Sequence, residues 1–325
     1  MALTDSQGRR INYLRLSVTD RCNLLCRYCM PAQGIPKLSH HDILSFEDLG
    51  RIAEQAVSLG LDKIRVTGGE PLVRKGVVGF LEKLATIPAL TELVLTTNGV
   101  LLAQMARELR RAGVQRLNVS LDSLKPATFA RITRGGDLRR VLDGLDAAEQ
   151  AGFPPVKINM VVMRGINDDE VLDFAALTLQ KACAVRFIEY MPTMLEPEWR
   201  SLWVPGRELL ERIESQYPLW PLEAGERAGP ARNFRIAGAA GTLGVITPIS
   251  HHFCDRCNRI RITATGMAKG CLFAGDAVDL KPYLRAGDKA LRAVLLRVVT
   301  RKPMSHNLLA APPAHSAFAM AQLGG

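Results

Sequence analysis

Short β-type runs alternate with longer runs of helical periodicity through the first part of the chain. The predicted strands are residues 13–19, 63–67, 92–96, 116–121, 156–163 and 185–190. The predicted helices are residues 46–59, 77–85, 101–112, 138–151 and 168–181. This alternation favours βα units around a parallel sheet. Since no further unit is evident after Tyr190, we predict a partial (β/α)6 TIM-type barrel rather than a closed one.

Several predicted strands carry polar residues at every second position. Arg15 and Ser17 lie two apart in the first strand, and Lys63, Arg65 and Thr67 do so in the second. The same pattern covers Asn118 with Ser120, and Lys157 with Asn159. Residues two apart on a strand share one face, so the polar face is predicted to line the barrel interior. Buried cations need partners, which indicates an anionic ligand inside. The alternative is that some of these are edge strands with one wet face.

The pattern changes after Tyr190. Residues 191–217 hold three prolines, and residues 218–240 are rich in Gly, Ala and Pro. Two β-like segments follow, around residues 242–248 and 259–265. We therefore predict two domains, a partial barrel over residues 1–220 and a C-terminal region over residues 221–325 that closes its open side.

The charge balance points to an anionic partner. The chain has 42 Lys and Arg against 32 Asp and Glu, a net charge of +10. The basic residues are scattered, so a nucleic-acid groove is not expected. No stretch approaches the roughly 18 apolar residues of a membrane span, and the first residues are polar. These features predict a cytoplasmic protein without membrane or nucleic-acid partners.

Seven cysteines make up the candidate chemistry, and six of them form two groups of three. An odd number without an export signal argues against disulfides. The first group, Cys22, Cys26 and Cys29, has C-x3-C-x2-C spacing directly after the first predicted strand. Thiolates on one short loop suit zinc or an iron–sulfur cluster. Cys183 belongs to neither group and is expected in the core.

Both groups are one ligand short of a structural zinc site. For the first, the nearest downstream candidates are His40 and His41. The second group is Cys254, Cys257 and Cys271, and His251 or His252 could complete a zinc site there. A cubane cluster with three cysteine ligands instead leaves one iron open for a small molecule.

The first group resembles the cluster motif of the radical S-adenosylmethionine (SAM) superfamily. The second predicted strand is followed by Thr67-Gly68-Gly69-Glu70-Pro71, which is similar to that superfamily's Gly-Gly-Glu-Pro turn. Two glycines allow the backbone to approach a ligand closely. The resemblance implies that SAM binds the open iron and that this turn binds the SAM amino group.

Further stretches resemble the GTP 3′,8-cyclase (MoaA) family. They are residues 14–20, 96–99, 118–122, 186–192, 244–250 and 254–261, and the terminal Gly324-Gly325. The resemblance extends from about residue 11 to residue 325. Leu323 departs from the isoleucine usual before the two glycines.

This resemblance implies a role for each matching residue. Two [4Fe–4S] clusters would be held by Cys22, Cys26 and Cys29, and by Cys254, Cys257 and Cys271. The SAM site would include Tyr28, Gly69, Ser120 and Met191. The GTP site would include Arg15, Lys63, Arg65, Thr96, Lys157, Arg259, Ile260 and Arg261. The Gly324-Gly325 tail would enter the active site.

The implied activity is conversion of GTP to 3′,8-cyclo-7,8-dihydro-GTP, initiated by removal of the 3′ hydrogen by a 5′-deoxyadenosyl radical. This is the first step of molybdenum cofactor biosynthesis. It implies an unidentified one-electron donor and a downstream partner, cyclic pyranopterin monophosphate synthase. A homodimer is compatible with the sequence.

Two other functions stay open at this stage. A peptide-modifying radical SAM enzyme with an auxiliary cluster would share the first cysteine group, but it has little need for so many inward cations. A non-catalytic iron–sulfur protein that binds nucleic acid would use the net charge, but it leaves the Gly-Gly-Glu-Pro turn without a role.

Overall fold

One mixed sheet organises the computed structural model, which describes residues 3–36, 38–39, 41–192, 198–223, 225, 229–306 and 320–323. Six strands come from the first part of the chain: β1 (Tyr13–Ser17), β2 (Lys63–Thr67), β3 (Glu92–Thr97), β4 (Arg116–Ser120), β5 (Lys157–Val162) and β6 (Ala184–Glu189). Six more follow: β7 (Leu219–Leu222), β8 (Arg232–Ile236), β9 (Thr242–Ile246), β10 (Arg259–Ile262), β11 (Met267–Lys269) and β12 (Val278–Asp279). Their order is β12-β11-β10-β1-β2-β3-β4-β5-β6-β9-β8-β7.

Helices connect the parallel strands. They are α1 (Phe46–Ser58), α2 (Val77–Ala85), α3 (Leu102–Arg111), α4 (Pro126–Thr133), α5 (Leu138–Gln150), α6 (Val171–Gln180), α7 (Trp199–Leu202), α8 (Gly206–Glu214), α9 (Lys281–Ala286), α10 (Asp288–Thr300) and α11 (Met320–Leu323). The five predicted helices correspond to α1, α2, α3, α5 and α6. The sequence reading missed α4 and the helices after β6. Within the described residues, no helix has the length and apolar character needed to cross a bilayer.

The partial barrel is confirmed, with β1 to β6 parallel and in chain order. The β-like segments expected around residues 242–248 and 259–265 do form strands, but they are not partners. Strand β9 pairs in parallel with β6, and β10 pairs in parallel with β1. Both ends then continue antiparallel, into β8 and β11, so the described sheet stays open.

One sheet therefore contains strands from both sides of residue 220, and the division into two domains there stays a prediction. The C-terminal strands reach both edges of the βα array, which brings Arg259 and Arg261 beside the first strand. This placement determines which side chains can meet inside the barrel.

The two faces of the strands differ as the alternation predicts. Leu14, Leu16, Ile64 and Val66 are fully buried in the hydrophobic core. In β5 the half-buried Lys157 and Asn159 alternate with buried apolar residues. Burial of the apolar face against the helices stabilises the fold, since each buried Leu or Ile side chain contributes about 1.5–3 kcal/mol. The opposite face is left for polar chemistry.

Glu189, at the end of β6, fastens the C-terminal region to the barrel. Its buried carboxylate accepts hydrogen bonds from the backbone N–H of Gly206 at 2.7 Å and of Ile249 at 2.9 Å. It also accepts from the backbone N–H of Ser250 at 3.0 Å and from the Ser250 hydroxyl. The start of α8 and the loop before Cys254 are thereby held to the same strand end.

We expect Glu189→Ala to lower the free energy of unfolding by at least about 3 kcal/mol, because it leaves several buried backbone N–H groups without an acceptor. Chemical denaturation of the cluster-free protein, followed by circular dichroism, measures this. Glu211→Ala is the control, because Glu211 only forms an exposed ion pair with Arg207. Equal stability of the two variants would contradict the fastening role.

Candidate active site

The strand register gathers cations from distant parts of the sequence. Arg261, Arg15 and Arg65 are in register across β10, β1 and β2. Two residues earlier along the same strands, a second row in register consists of Arg259, Tyr13 and Lys63. The two rows form one patch on the inner face.

This patch lines a cavity of about 540 Å³. Six residues of the predicted GTP site lie there together, namely Arg15, Lys63, Arg65, Lys157, Arg259 and Arg261. Asn118 and Asn159, which alternation predicted to face the interior, also line the cavity. Arg116, Arg186 and Tyr13 line it too and were not predicted in the site. Alternation could have found Arg186, because it lies between the apolar Val185 and Phe187 in a predicted strand.

Positive charge in this cavity exceeds negative charge. Among the described lining residues, the Arg and Lys side chains face one carboxylate, Glu92. Glu92 is already paired with Lys63 at 2.6 Å and with Arg116 at 3.1 Å. Glu92 can therefore balance only part of the positive charge that lines the cavity.

Burial, together with the charge excess, shifts the pKa of several groups. Burial, reinforced by Arg186 and Arg116, lowers the pKa of Lys157 to about 7. Burial and Arg65 lower the pKa of Arg186 to about 10. Such shifts report that the cavity resists further positive charge and favours an anion.

Buried polar atoms around the cavity also lack hydrogen-bond partners within the described ranges. They include Arg65 Nε, Arg186 Nε, Arg259 Nε, Arg261 NH1 and both amide atoms of Asn118. Buried polar groups are nearly always hydrogen-bonded in native proteins. Most of these atoms are donors, so a ligand rich in acceptor oxygens would satisfy them.

The first cysteine group lies on the loop after β1, beside the glycine turn. Backbone bonds join the turn to this loop, from Gly69 N to Thr19 O and from Glu70 N to Arg21 O, both 2.8 Å. A Cβ on Gly69 would lie 2.4 Å from the Arg21 carbonyl oxygen. Glycine is therefore required at Gly69 to support the cysteine loop.

Glu70 holds this turn against the end of β3. Its buried carboxylate accepts from Thr97 Oγ1 at 2.8 Å and from Asn98 N at 2.6 Å. Burial raises its pKa to about 7. Asn98 in turn donates to Asn23 Oδ1 at 2.7 Å, within the cysteine loop. The ends of β2 and β3 thus position the loop that carries the first group.

A smaller cavity adjoins this loop. The first cysteine group lines it together with the four predicted SAM residues, Tyr28, Gly69, Ser120 and Met191. The Tyr28 hydroxyl is fixed by donating to Asp122 at 2.9 Å, and Asp122 also accepts from Val161 N at 2.8 Å. The structure thus brings the predicted set together, and the role of each member stays a prediction.

The second cysteine group lines the large cavity, near Arg259 and Arg261. Cys29 of the first group and Cys257 of the second have different electrostatic surroundings. Burial raises the pKa of the Cys29 thiol to about 12, with further raising by Cys22 and Asp122. Burial would also raise the pKa of Cys257, but Arg259 and Lys302 bring it down to about 7.

Neither group is arranged for a single ion. In the part of the chain that the structure describes, no three His, Cys, Asp or Glu side chains converge on one metal position. A cubane binds each cysteine at a different iron and does not need such convergence. Three thiols at the wall of a cavity fit such a cluster, because one iron would be left free for a small molecule.

The two cavities meet. Asn159, Ile188, Met191 and Met320 line both of them. Met320 belongs to α11, and the next residue, Ala321, donates its backbone N–H to the sulfur of Cys29. The C-terminal segment therefore lies at the junction, while Gly324 and Gly325 fall outside the described residues.

Two residues of the predicted GTP site are placed differently from the rest. Thr96 lines the smaller cavity. The side chain of Ile260 is fully buried in the hydrophobic core and lines neither cavity, and its place in the GTP site stays a prediction. Alternation along β10 explains this, because Ile260 lies between two inward arginines. Cys183 is buried in the core, as expected.

Comparison with known proteins gives two family matches. Residues 16–178 match the model of the radical SAM superfamily, and residues 183–308 match that of Molybdenum Cofactor Synthesis C. The chain is 63% identical to a GTP 3′,8-cyclase of Geobacter sulfurreducens, over the whole length of both. It is 47% identical to one of Moorella thermoacetica, covering 94% of this chain and 95% of that one.

Among solved structures, the chain is similar to SuiB of Streptococcus suis bound to S-adenosylmethionine. The TM-score is 0.63 at 15% identity, and the match covers 90% of this chain and 66% of the other. At this identity the likeness supports the fold alone.

Because positive charge dominates the cavity, we expect tripolyphosphate to bind to the protein. Arg186→Met should weaken this binding about 10- to 100-fold, the equivalent of one charged hydrogen bond. Isothermal titration calorimetry measures it. Arg139→Met is the control, since Arg139 is exposed and pairs with Asp143. Equal weakening by both variants would mean that the effect is only one of net charge.

Proposed function

The chain belongs to the GTP 3′,8-cyclase family of the radical SAM superfamily, and from this premise we propose that it converts GTP to 3′,8-cyclo-7,8-dihydro-GTP, the first step of molybdenum cofactor biosynthesis. One observation carries the proposal: two adjoining cavities are each lined by three cysteines, and the larger one is also lined by the patch of Arg and Lys side chains. A peptide substrate offers too few anionic groups to balance that patch.

We assign a [4Fe–4S] cluster to Cys22, Cys26 and Cys29, with SAM beside it. When bound, the two together supply one-electron cleavage of SAM and, through it, hydrogen abstraction from carbon 3′ of GTP. Gly69 supports the loop and leaves room for the SAM amino group. Tyr28, held by Asp122, and Met191 bound the space, and Ser120 offers a hydroxyl.

The triphosphate is assigned to the inner cations. Arg15, Arg65 and Arg186 present planar guanidinium groups that suit phosphate oxygens, and Lys63 and Lys157 act as point charges. These contacts orient the nucleotide so that its ribose lies toward the junction with the SAM cavity. Orientation of this kind is what an intramolecular cyclisation requires.

The guanine end is assigned to the second cysteine group. Cys254, Cys257 and Cys271 would hold a second [4Fe–4S] cluster with one open iron for the base. Arg259 and Arg261 flank it, while Ile260 can contribute only through its backbone. Thr96 lies at the SAM side, where it can approach the ribose.

The remaining assignments follow from the family. The Gly324-Gly325 tail, which follows the described α11, would enter the junction. Residues 1–220 would carry the SAM chemistry and residues 221–325 the second cluster. A separate one-electron donor reduces the enzyme, cyclic pyranopterin monophosphate synthase takes the product, and the enzyme works in the cytoplasm, as a monomer or a homodimer.

The proposal is tested by incubating the anaerobic, cluster-loaded protein with SAM, dithionite and GTP. We expect 5′-deoxyadenosine together with a new nucleotide of the same mass as GTP but a different retention time. Deuterium at carbon 3′ of GTP should appear in the 5′-deoxyadenosine.

Cys22→Ala should abolish both products, whereas Cys183→Ala, which changes a core cysteine outside both groups, should keep them. Formation of 5′-deoxyadenosine without any change in GTP would point to a different radical SAM reaction. Absence of 5′-deoxyadenosine from loaded, reduced protein would reject the superfamily chemistry for this chain.

Nucleotide binding should take up a proton through Lys157. Its pKa is about 7 in the free protein, so it is mostly neutral at about pH 8. A neighbouring phosphate favours the charged form. Affinity should therefore fall as the pH rises above 7. Calorimetry in two buffers of different ionisation enthalpy measures the uptake. Lys157→Arg stays protonated and should show none, and equal uptake by both proteins would contradict the assignment.

A further inference from the structure

Lys302 is a buried lysine immediately beside the second cysteine group. It follows α10 and is 3% exposed. Its ammonium donates to Cys257 Sγ at 3.3 Å, to the Arg259 carbonyl at 3.1 Å and to the Gly270 carbonyl at 2.5 Å. An ammonium has three donors, so each has an acceptor in the loops that carry the cysteines.

The charge of this ammonium has one anionic neighbour among those contacts. In the described ranges, no Asp or Glu oxygen lies within 4.0 Å of it, the limit for an ion pair. The two carbonyls are neutral, so the sulfur of Cys257 is the one of these three acceptors that can carry a negative charge. A buried cation without a carboxylate partner is costly unless an anion is present, and a thiolate-bound cluster supplies one.

The surrounding structure fixes Lys302 in this place. A Cβ on Gly270 would lie 3.2 Å from Lys302 Cα, so glycine allows the close approach. Arg9 donates to the carbonyl of Cys254 at 2.7 Å and to that of Pro303 at 2.8 Å. Arg9 is itself held by Asp5 at 2.7 Å. The segment that carries Lys302 is therefore clamped to the cysteine loop.

We propose that Lys302 is a positioning residue that raises the reduction potential of the second cluster through its charged N–H···S bond to Cys257. This rests on the proposed function, which places a cluster there. Reduction adds negative charge to the cluster, and a nearby cation with a hydrogen bond to a ligand sulfur stabilises that charge. Lys302 thus makes the second cluster easier to reduce next to the bound nucleotide.

The experiment uses the full chain with Cys22, Cys26 and Cys29 changed to Ala, so that any cluster is the second one. Iron and sulfide analysis first establishes whether it is loaded. A redox titration followed by electron paramagnetic resonance then gives the midpoint potential. In this background, Lys302→Met should lower the midpoint potential. At a given solution potential, the ratio of reduced to oxidised cluster should fall at least tenfold, which for one electron is a fall in midpoint potential of about 59 mV.

Lys302→Arg keeps the charge and the donors and should restore most of the potential. Lys281→Met removes the same charge at an exposed site, where the ammonium bonds the Asp42 carbonyl, and should leave the potential unchanged. An unchanged potential in loaded Lys302→Met would overturn the proposal. So would loss of iron from both Lys302 variants, since Lys302 would then only hold the loops together.

The design separates this proposal from the proposed function. If the background protein with Lys302 intact binds no iron, the assignment of a second cluster is wrong. If it is loaded and its potential ignores Lys302, only the role of Lys302 fails. A fall in potential with Lys302→Met, together with recovery in Lys302→Arg, supports the proposal.

Discussion

The structure depends on a charge imbalance inside the sheet. The inner face carries several Arg and Lys side chains, while Glu92 is the one carboxylate among the described lining residues, and it is already paired. An excess of buried cations is costly, since burial disfavours their charged form. A bound polyanion would offset this cost. Binding of the triphosphate would therefore also relieve the charge excess.

The sheet makes this imbalance possible by assembling it from distant segments. The C-terminal strand β10 lies next to β1, and the register puts Arg261 beside Arg15. Parallel strands need long connections, and here the pairing joins β10 from the C-terminal part of the chain to the first strand, β1. The same pairing holds the second cysteine group near the patch, while the loop after β1 holds the first. Glu70 and Glu189 fix the two loop regions to strand ends by accepting backbone hydrogen bonds.

The sequence predicted those features that depend on residues close together in the chain. Alternation along the strands identified inward residues such as Arg15 and Lys157, and cysteine spacing identified the two groups of three cysteines that line the cavities. Pairing was not predictable, because a strand pattern does not name its partner, and β9 and β10 lie on opposite sides of the array. Applied strictly, alternation would have excluded Ile260 and included Arg186. The roles of Glu70, Glu189 and Lys302 depend on contacts between distant loops, for which a single sequence gives no signal.

Equilibrium binding of GTP and of guanosine to the loaded, SAM-bound protein tests the charge argument most directly. If the triphosphate neutralises the buried patch, the protein with Arg15, Arg65 and Arg186 intact should bind GTP at least about 1,000-fold more tightly than guanosine. This corresponds to a difference in binding free energy of about 4.1 kcal/mol. The cavity shields these contacts, so added salt should reduce the difference only modestly. Guanosine binding within tenfold of GTP would contradict the account, because the cations would then have no part in recognising the nucleotide.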